Sequence, residues 1–216
     1  NSYNVRYTGK NGTKDKVTIK SQQSQTVPND ASHIGEDGDC GVATATKGAT
    51  DGKYYFTLDH KASYLTFMPY YDSNLDPTFT PGLASSVKLT KIKVSADQDI
   101  AGTYNFENTG IDLSSVTSAS KEIALTLSNS FEIPVSANYS KNGATMVIAP
   151  GSYTNFTVEY TLFDQKTSVT LNLKKNYGNI TCSIGKNKKI ATKLDIPNYS
   201  DTKWATWDSQ HYYWEG

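Results

Sequence analysis

The chain predicts an all-β fold, an antiparallel β-sandwich, and three observations carry that expectation. Short runs alternate apolar and polar residues with a period of two, and clusters of Gly, Asn, Asp, Ser and Pro separate them. The 216 residues include fifteen Tyr and only two Met, a composition suited to pleated surfaces rather than to long helices. No stretch repeats its apolar residues at helical spacing strongly enough to compete. The length allows one large β domain or two modest ones, each with its own core.

The clearest strand covers 155–162, where Phe156, Val158, Tyr160 and Leu162 face one way and Thr157, Glu159 and Thr161 the other. After Asp164, Gln165 and Lys166 the alternation resumes through Val169, Leu171 and Leu173, so 155–162 and 168–173 read as a hairpin. The same pattern predicts strands at 4–7, 16–20, 42–46, 54–58, 63–70, 87–95, 101–106, 122–127, 145–148, 180–183 and 189–196. Within 87–95 the apolar phase shifts: Val87 and Leu89 are odd-numbered, Ile92 and Val94 even-numbered. That shift predicts a bulge near Thr90. Residues 72–86 hold Pro77, Pro81 and Gly82 and read as a long connection. A second boundary falls at Pro197, beyond which all three Trp residues lie within the last thirteen positions.

Charge and composition exclude several functions. Lys plus Arg and Asp plus Glu are both 21, so no global field concentrates phosphates and a general nucleic-acid binder is not expected. No apolar run approaches the roughly 18 residues of a membrane-spanning helix. The chain opens at Asn1 with no signal-peptide pattern, and the expectation is a soluble, already trimmed chain. Cys40 and Cys182 are too far apart for a redox pair and too few for a thiolate zinc site. Either a single long-range disulfide or two buried free thiols fits them.

The densest polar constellation lies at 29–41, with Asp30, His33, Glu36, Asp37, Asp39 and Cys40. Carboxylates around a turn-forming Gly are what a hard cation takes, but the spacing fails the EF-hand pattern, so the expectation is a solvated acidic loop with no metal or other cofactor. His33, His60 and His211 stand apart, and none adjoins a nucleophile elbow or an HExxH motif. With no catalytic constellation the chain is not expected to be an enzyme, and His60 reads as a structural hydrogen-bonding group. The tail aromatics Trp204, Trp207, Tyr212, Tyr213 and Trp214 are the candidate ligand or strand-donation residues. Flat rings with polar neighbours stack on sugars. A terminal strand can also fill a groove on another subunit, or the rings can pack back on their own domain.

Four stretches resemble the fimbrillin-like proteins of Bacteroides-type bacteria, the subunits and tip adhesins of type V pili. LDHKASYLTF at 58–67 is similar to that family's first strand of the C-terminal domain, and LTKIKV at 89–94 with IAGTY at 100–104 to its next strand pair. MVIAPGSYTNFTVEY at 146–160 resembles its Pro-Gly hairpin, and WDSQHYYW at 207–214 its closing aromatic signature. NDASH at 29–33 and GDCG at 38–41 resemble a subgroup pattern ahead of that domain. GKNKK at 185–189 departs from it, having no aromatic after Gly-Lys. The resemblance implies transthyretin-like sandwiches in two domains: 1–58 as the end of an incomplete N-terminal domain, 59–196 as the C-terminal sandwich, and 197–216 as an aromatic tail. It also implies a non-enzymatic fimbrial component or adhesin at the cell surface, on the outer membrane, held there through a lipid anchor outside this chain. Its partners would be other fimbrial subunits, joined by strand donation, and a glycan or host surface protein. The alternative of a different class is a free-standing carbohydrate-binding sandwich that uses the tail aromatics.

Overall fold

A computed structural model describes residues 2–71 and 86–195, and within them the chain is an all-β sandwich. One layer is a five-stranded sheet in the order β14 (Val169–Cys182), β13 (Gly151–Asp164), β8 (Val87–Ser95), β11 (Glu122–Leu127) and β3 (Gln22–Gln25). Facing it is a three-stranded sheet of β12 (Ala144–Ile148), β7 (Ser63–Tyr71) and β15 (Asn187–Leu194). Phe67 of β7 meets Tyr160 of β13 edge to face across the two sheets, their ring centroids 6.3 Å apart. A second three-stranded sheet joins β10 (Gly110–Ser120), β9 (Ala101–Glu107) and β2 (Lys16–Ile19). Its Val17, Ile19, Tyr104 and Phe106 belong to the same buried cluster as Phe67, Ile92, Val94, Val158 and Tyr160.

The remaining sheet projects from this body. It is built on β4 (Gly41–Lys47), flanked by β1 (Ser2–Tyr7) on one side and by β5 (Tyr54–Tyr55) and β6 (Asp59–His60) on the other. Asp59 and His60 pair with Val42 and Gly41, so the expected boundary between residues 58 and 59 falls between two strands that share one partner. Strands β2 and β3, from the first 58 residues, pair with β9 and β11 of the later chain and bury Val17 and Ile19 in the common core.

The predicted hairpin is present and extends beyond its expected limits. β13 and β14 are fourteen residues each, and the segment expected as a separate strand at 180–183 ends β14. Asp164 shapes the turn, accepting from the Lys166 N–H at 2.9 Å and the Thr167 hydroxyl at 2.7 Å. The Thr90 bulge is also present. Leu162 pairs with Leu89 and Thr161 with Lys91, leaving Thr90 unpaired, which turns both Leu89 and Ile92 inward.

Other expectations need correction. MVIAPGSYTNFTVEY is not a hairpin: β12 and β13 lie in different sheets, so Pro150-Gly151 is a corner between layers, tied by Ala149 N–H to the Ile100 carbonyl at 2.9 Å. The run expected at 54–58 keeps only Tyr54–Tyr55 as a strand. At GKNKK the missing aromatic is replaced by a close approach. Gly185 sits at φ 66°, and a Cβ there would lie 2.7 Å from the His60 carbonyl oxygen, so glycine is required. Beyond it Lys189 lies over the Tyr139 ring, 5.1 Å from its centroid. The expected connection at 72–86 and the tail after Pro197 lie outside the described residues, apart from Ser86.

Candidate functional site

The acidic segment 29–41 is a junction rather than a solvated loop, and each of its carboxylates has a partner. Asp30 accepts from the Ser32 N–H at 2.8 Å, which holds its carboxyl below the usual range. A single helical turn, Ile34–Asp37, follows, and it ends at Gly38 with φ 122°. A Cβ on Gly38 would stand 2.6 Å from the Ile19 Cα, so the turn can lie this close to β2 only with glycine there. Glu36 pairs with Lys10 at 2.9 Å. Asp37 is buried and bonds His33 Nδ1 at 2.7 Å, with Lys20 Nζ at 3.8 Å, while His33 Nε2 is buried without a hydrogen-bond partner. Backbone bonds from Lys10 to Gly35, Lys20 to Asp37 and Lys61 to Cys40 tie this turn to three other parts of the chain.

Asp39, also buried, organises the second half of the junction. It accepts from the Tyr64 hydroxyl and bonds His60 Nδ1 at 2.8 Å. His60 therefore has the structural role expected of it, joining the projecting sheet to the start of β7. Half of its side chain is exposed, and Asp39 fixes the ring. The neighbouring nucleophiles are kept neutral: burial, then the hydrogen bond to Asp39, push the Tyr64 phenol far up, and burial, then the Asp39 charge, push the Cys40 thiol up to about 12. Among the described residues no group of three or more His, Cys, Asp and Glu side chains is placed to hold a metal ion.

Cys40 and Cys182 are both free and buried, which resolves the disulfide alternative in favour of separate thiols. Cys182 is pushed up to about 11 by burial, and Tyr104 to about 12 by burial and then the charge of Asp99. The folded chain keeps these protons at pH values where an unfolded chain releases them, so their stabilisation is complete below about pH 8.5, the ordinary thiol value, and is lost as pH rises toward about 12. The urea midpoint is expected to hold steady near neutrality and to fall continuously above about pH 9; a midpoint unchanged to pH 11 would contradict this assignment.

The two seams between the facing sheets are built differently. On one side β3 lies beside β12, and two buried glutamines close the gap. Gln23 donates Nε2 to the Val147 carbonyl at 2.7 Å and accepts from the Val147 N–H at 2.9 Å. Two residues on, Gln25 donates to the Gly143 carbonyl at 2.9 Å and accepts from the Thr145 N–H at 2.8 Å. Each carboxamide presents one donor and one acceptor to the β12 main chain, as a neighbouring strand would. Their second amide hydrogens go to the carbonyls of Lys20 and Val27.

On the other side β14 and β15 are the outer strands of their sheets, and among the described residues neither has a further strand beside it. Hydroxyl contacts of Tyr177 with Tyr160 and Thr192, and the Lys175–Asp195 ion pair, join them at one level. Farther along β14, Leu171 and Leu173 are only partly buried against the core and Val169 is half exposed. The sequence-predicted site residues Trp204, Trp207, Tyr212, Tyr213 and Trp214 lie outside the described residues. The seams were not legible beforehand. The available signal was a period-two pattern of glutamines at 22–25, which reads as a polar linker unless the amides are known to be buried.

No family model matches the chain, and no curated protein matches its sequence. Two solved structures similar to it are a proposed cell adhesion protein from Bacteroides uniformis ATCC 8492 and another from Bacteroides ovatus ATCC 8483. The first is 18% identical with a TM-score of 0.46, over 89% of this chain and 67% of that one. The second is 12% identical with a TM-score of 0.44, over 91% of this chain and 65% of that one. The chain thus spans about two thirds of the length of either. Among the described residues no helix is long and apolar enough to cross a membrane.

Proposed function

We propose that this chain is a non-enzymatic cell-surface fimbrial component or adhesin of the outer membrane, with strand donation between subunits as its mode of assembly and binding to host or microbial surfaces as its task. The observation that supports this best is the contrast between the seams. Where β3 meets β12, glutamine side chains already occupy the main-chain groups that an added strand would use. On the other side β14 and β15 are the outer strands of their sheets, and on β14 Leu171 and Leu173 are only partly buried. A strand from a neighbouring subunit would satisfy a free edge and cover those leucines together. The Bacteroides structures are proposed for cell adhesion too, but their likeness is too weak to carry the reading, which rests on the seam.

The test is unheated SDS gel electrophoresis of the full chain beside size-exclusion chromatography of a variant lacking residues 197–216. A ladder that survives detergent until boiling, and a folded monomer once the tail is gone, are expected. A full-length chain that runs only as a monomer would sink the assembly reading. A deletion that unfolds would show instead that the tail packs on its own domain.

A further inference from the structure

The projecting sheet carries a second set of aromatics that the strand-donation reading does not use. Tyr3 is 56% and Tyr54 39% exposed, although large rings usually bury most of their surface. Tyr3 pairs with Ala45 of β4, and Tyr54 pairs with Lys47 of the same strand. Directly opposed residues in an antiparallel ladder point to one face, as do residues two apart on a strand. Tyr3, Ala45, Lys47 and Tyr54 therefore share a face. The two tyrosine rings meet edge to face above the buried Ala45, with centroids 5.1 Å apart and planes at 65°. This arch fixes both rings before any ligand arrives, so little side-chain entropy remains to be lost on binding.

Charge decides what the platform fits. Lys47 is exposed beside Tyr54 and has no ion pair or side-chain hydrogen bond among the described residues. The nearby carboxylate, Asp51, is taken by the Tyr55 hydroxyl and the Lys53 N–H. The two partly exposed rings offer roughly 200 Å², well under the about 800 Å² per partner that stable protein interfaces bury. A short saccharide needs no more, because the C–H face of a pyranose stacks on a ring while its polar groups stay hydrated. An unpaired ammonium beside the rings adds complementarity to a carboxylate. We infer that the Tyr3–Tyr54 arch with Lys47 is a binding platform for an acidic saccharide, a sialylated or uronic acid sugar.

This site is separate from the tail aromatics and does not depend on assembly. Titration of the full chain with 3′-sialyllactose, tri-galacturonic acid and neutral lactose, followed by saturation-transfer NMR and calorimetry, tests it. At least one acidic sugar is expected to bind, and lactose at least about tenfold more weakly. Tyr54→Ala should abolish binding. Lys47→Gln should remove most of the preference for the acid while leaving the melting temperature unchanged, since both side chains are exposed. Neither variant should alter the detergent-resistant ladder, so failure here is distinguishable from failure of the assembly reading. No saturable binding up to about 10 mM of any probe would overturn the inference. So would a concentration-dependent dimer that Tyr54→Ala returns to monomer, because the face would then be an interface between copies.

Discussion

Replacing Gln25 by Leu is expected to lower unfolding free energy by about 2–4 kcal/mol, although the new side chain is apolar and of similar size. The substitution leaves the Thr145 N–H and the Gly143 carbonyl without the partner they have at 2.8 and 2.9 Å. Thr145 and Gly143 are themselves buried, so water does not readily replace the amide. A buried main-chain group left unsatisfied costs about 1–3 kcal/mol, more than the extra apolar contact returns. Gln23→Leu strands both main-chain groups of Val147 in the same way. The double variant should fall short of the sum, because once one rung is lost the strands can separate locally and rehydrate the other. Gln22→Leu is the control: its side chain is exposed on the same strand and should change stability by less than about 0.5 kcal/mol. Urea denaturation measures all four. A cost below about 1 kcal/mol for Gln25→Leu would mean that the amide ladder does not seal this seam.

The second large effect is expected at the opposite seam and in assembly. Leu171→Lys with Leu173→Lys puts two ammonium groups where a donated strand would lay its apolar side chains. Both positions are only partly buried in the single chain, so the long lysine stems can turn outward and the folded monomer should persist with modest loss. The detergent-resistant ladder should vanish. A polar change of the same size on the outward-facing side of the strand, Thr170→Lys, should leave it intact. A ladder that survives the double change would place strand donation elsewhere on the molecule.

How far the sequence foretold this molecule depended on whether burial and alternation coincided. Where one face of a strand is apolar and the other polar, as in Phe156, Val158, Tyr160 and Leu162, the pattern alone located the strand, its face and its hairpin partner. The bulge at Thr90 was legible for the same reason, since a phase shift in the apolar residues requires an extra residue to keep both halves facing the core. Besides the two-residue β6, two strands were hidden because their residues lack that signal. β3 buries Gln23 and Gln25, polar side chains whose place in the core depends on partners more than a hundred residues away. β10 is rich in Ser, largely exposed and irregular, with register shifts around Thr117 and a positive φ at Ser118.

The candidate sites divide in the same way. His60 was read correctly as structural, but the acidic run at 29–41 looked like a solvated loop because one-dimensional charge density does not show that Asp37 and Asp39 each meet a histidine in the fold. The Tyr3–Tyr54 arch joins residues 51 positions apart through a strand between them, and neither residue stood out on its own.

The central claim is that the β14–β15 seam accepts a partner strand. Hydrogen–deuterium exchange, compared between isolated monomer and detergent-resistant assembly and read strand by strand, tests it most directly. New protection is expected along an outer edge of β14 or β15, centred on Leu171 and Leu173, with no change along β12, whose main chain the glutamines already hold. Protection that appears on another strand, or no difference between the two states, would contradict the account.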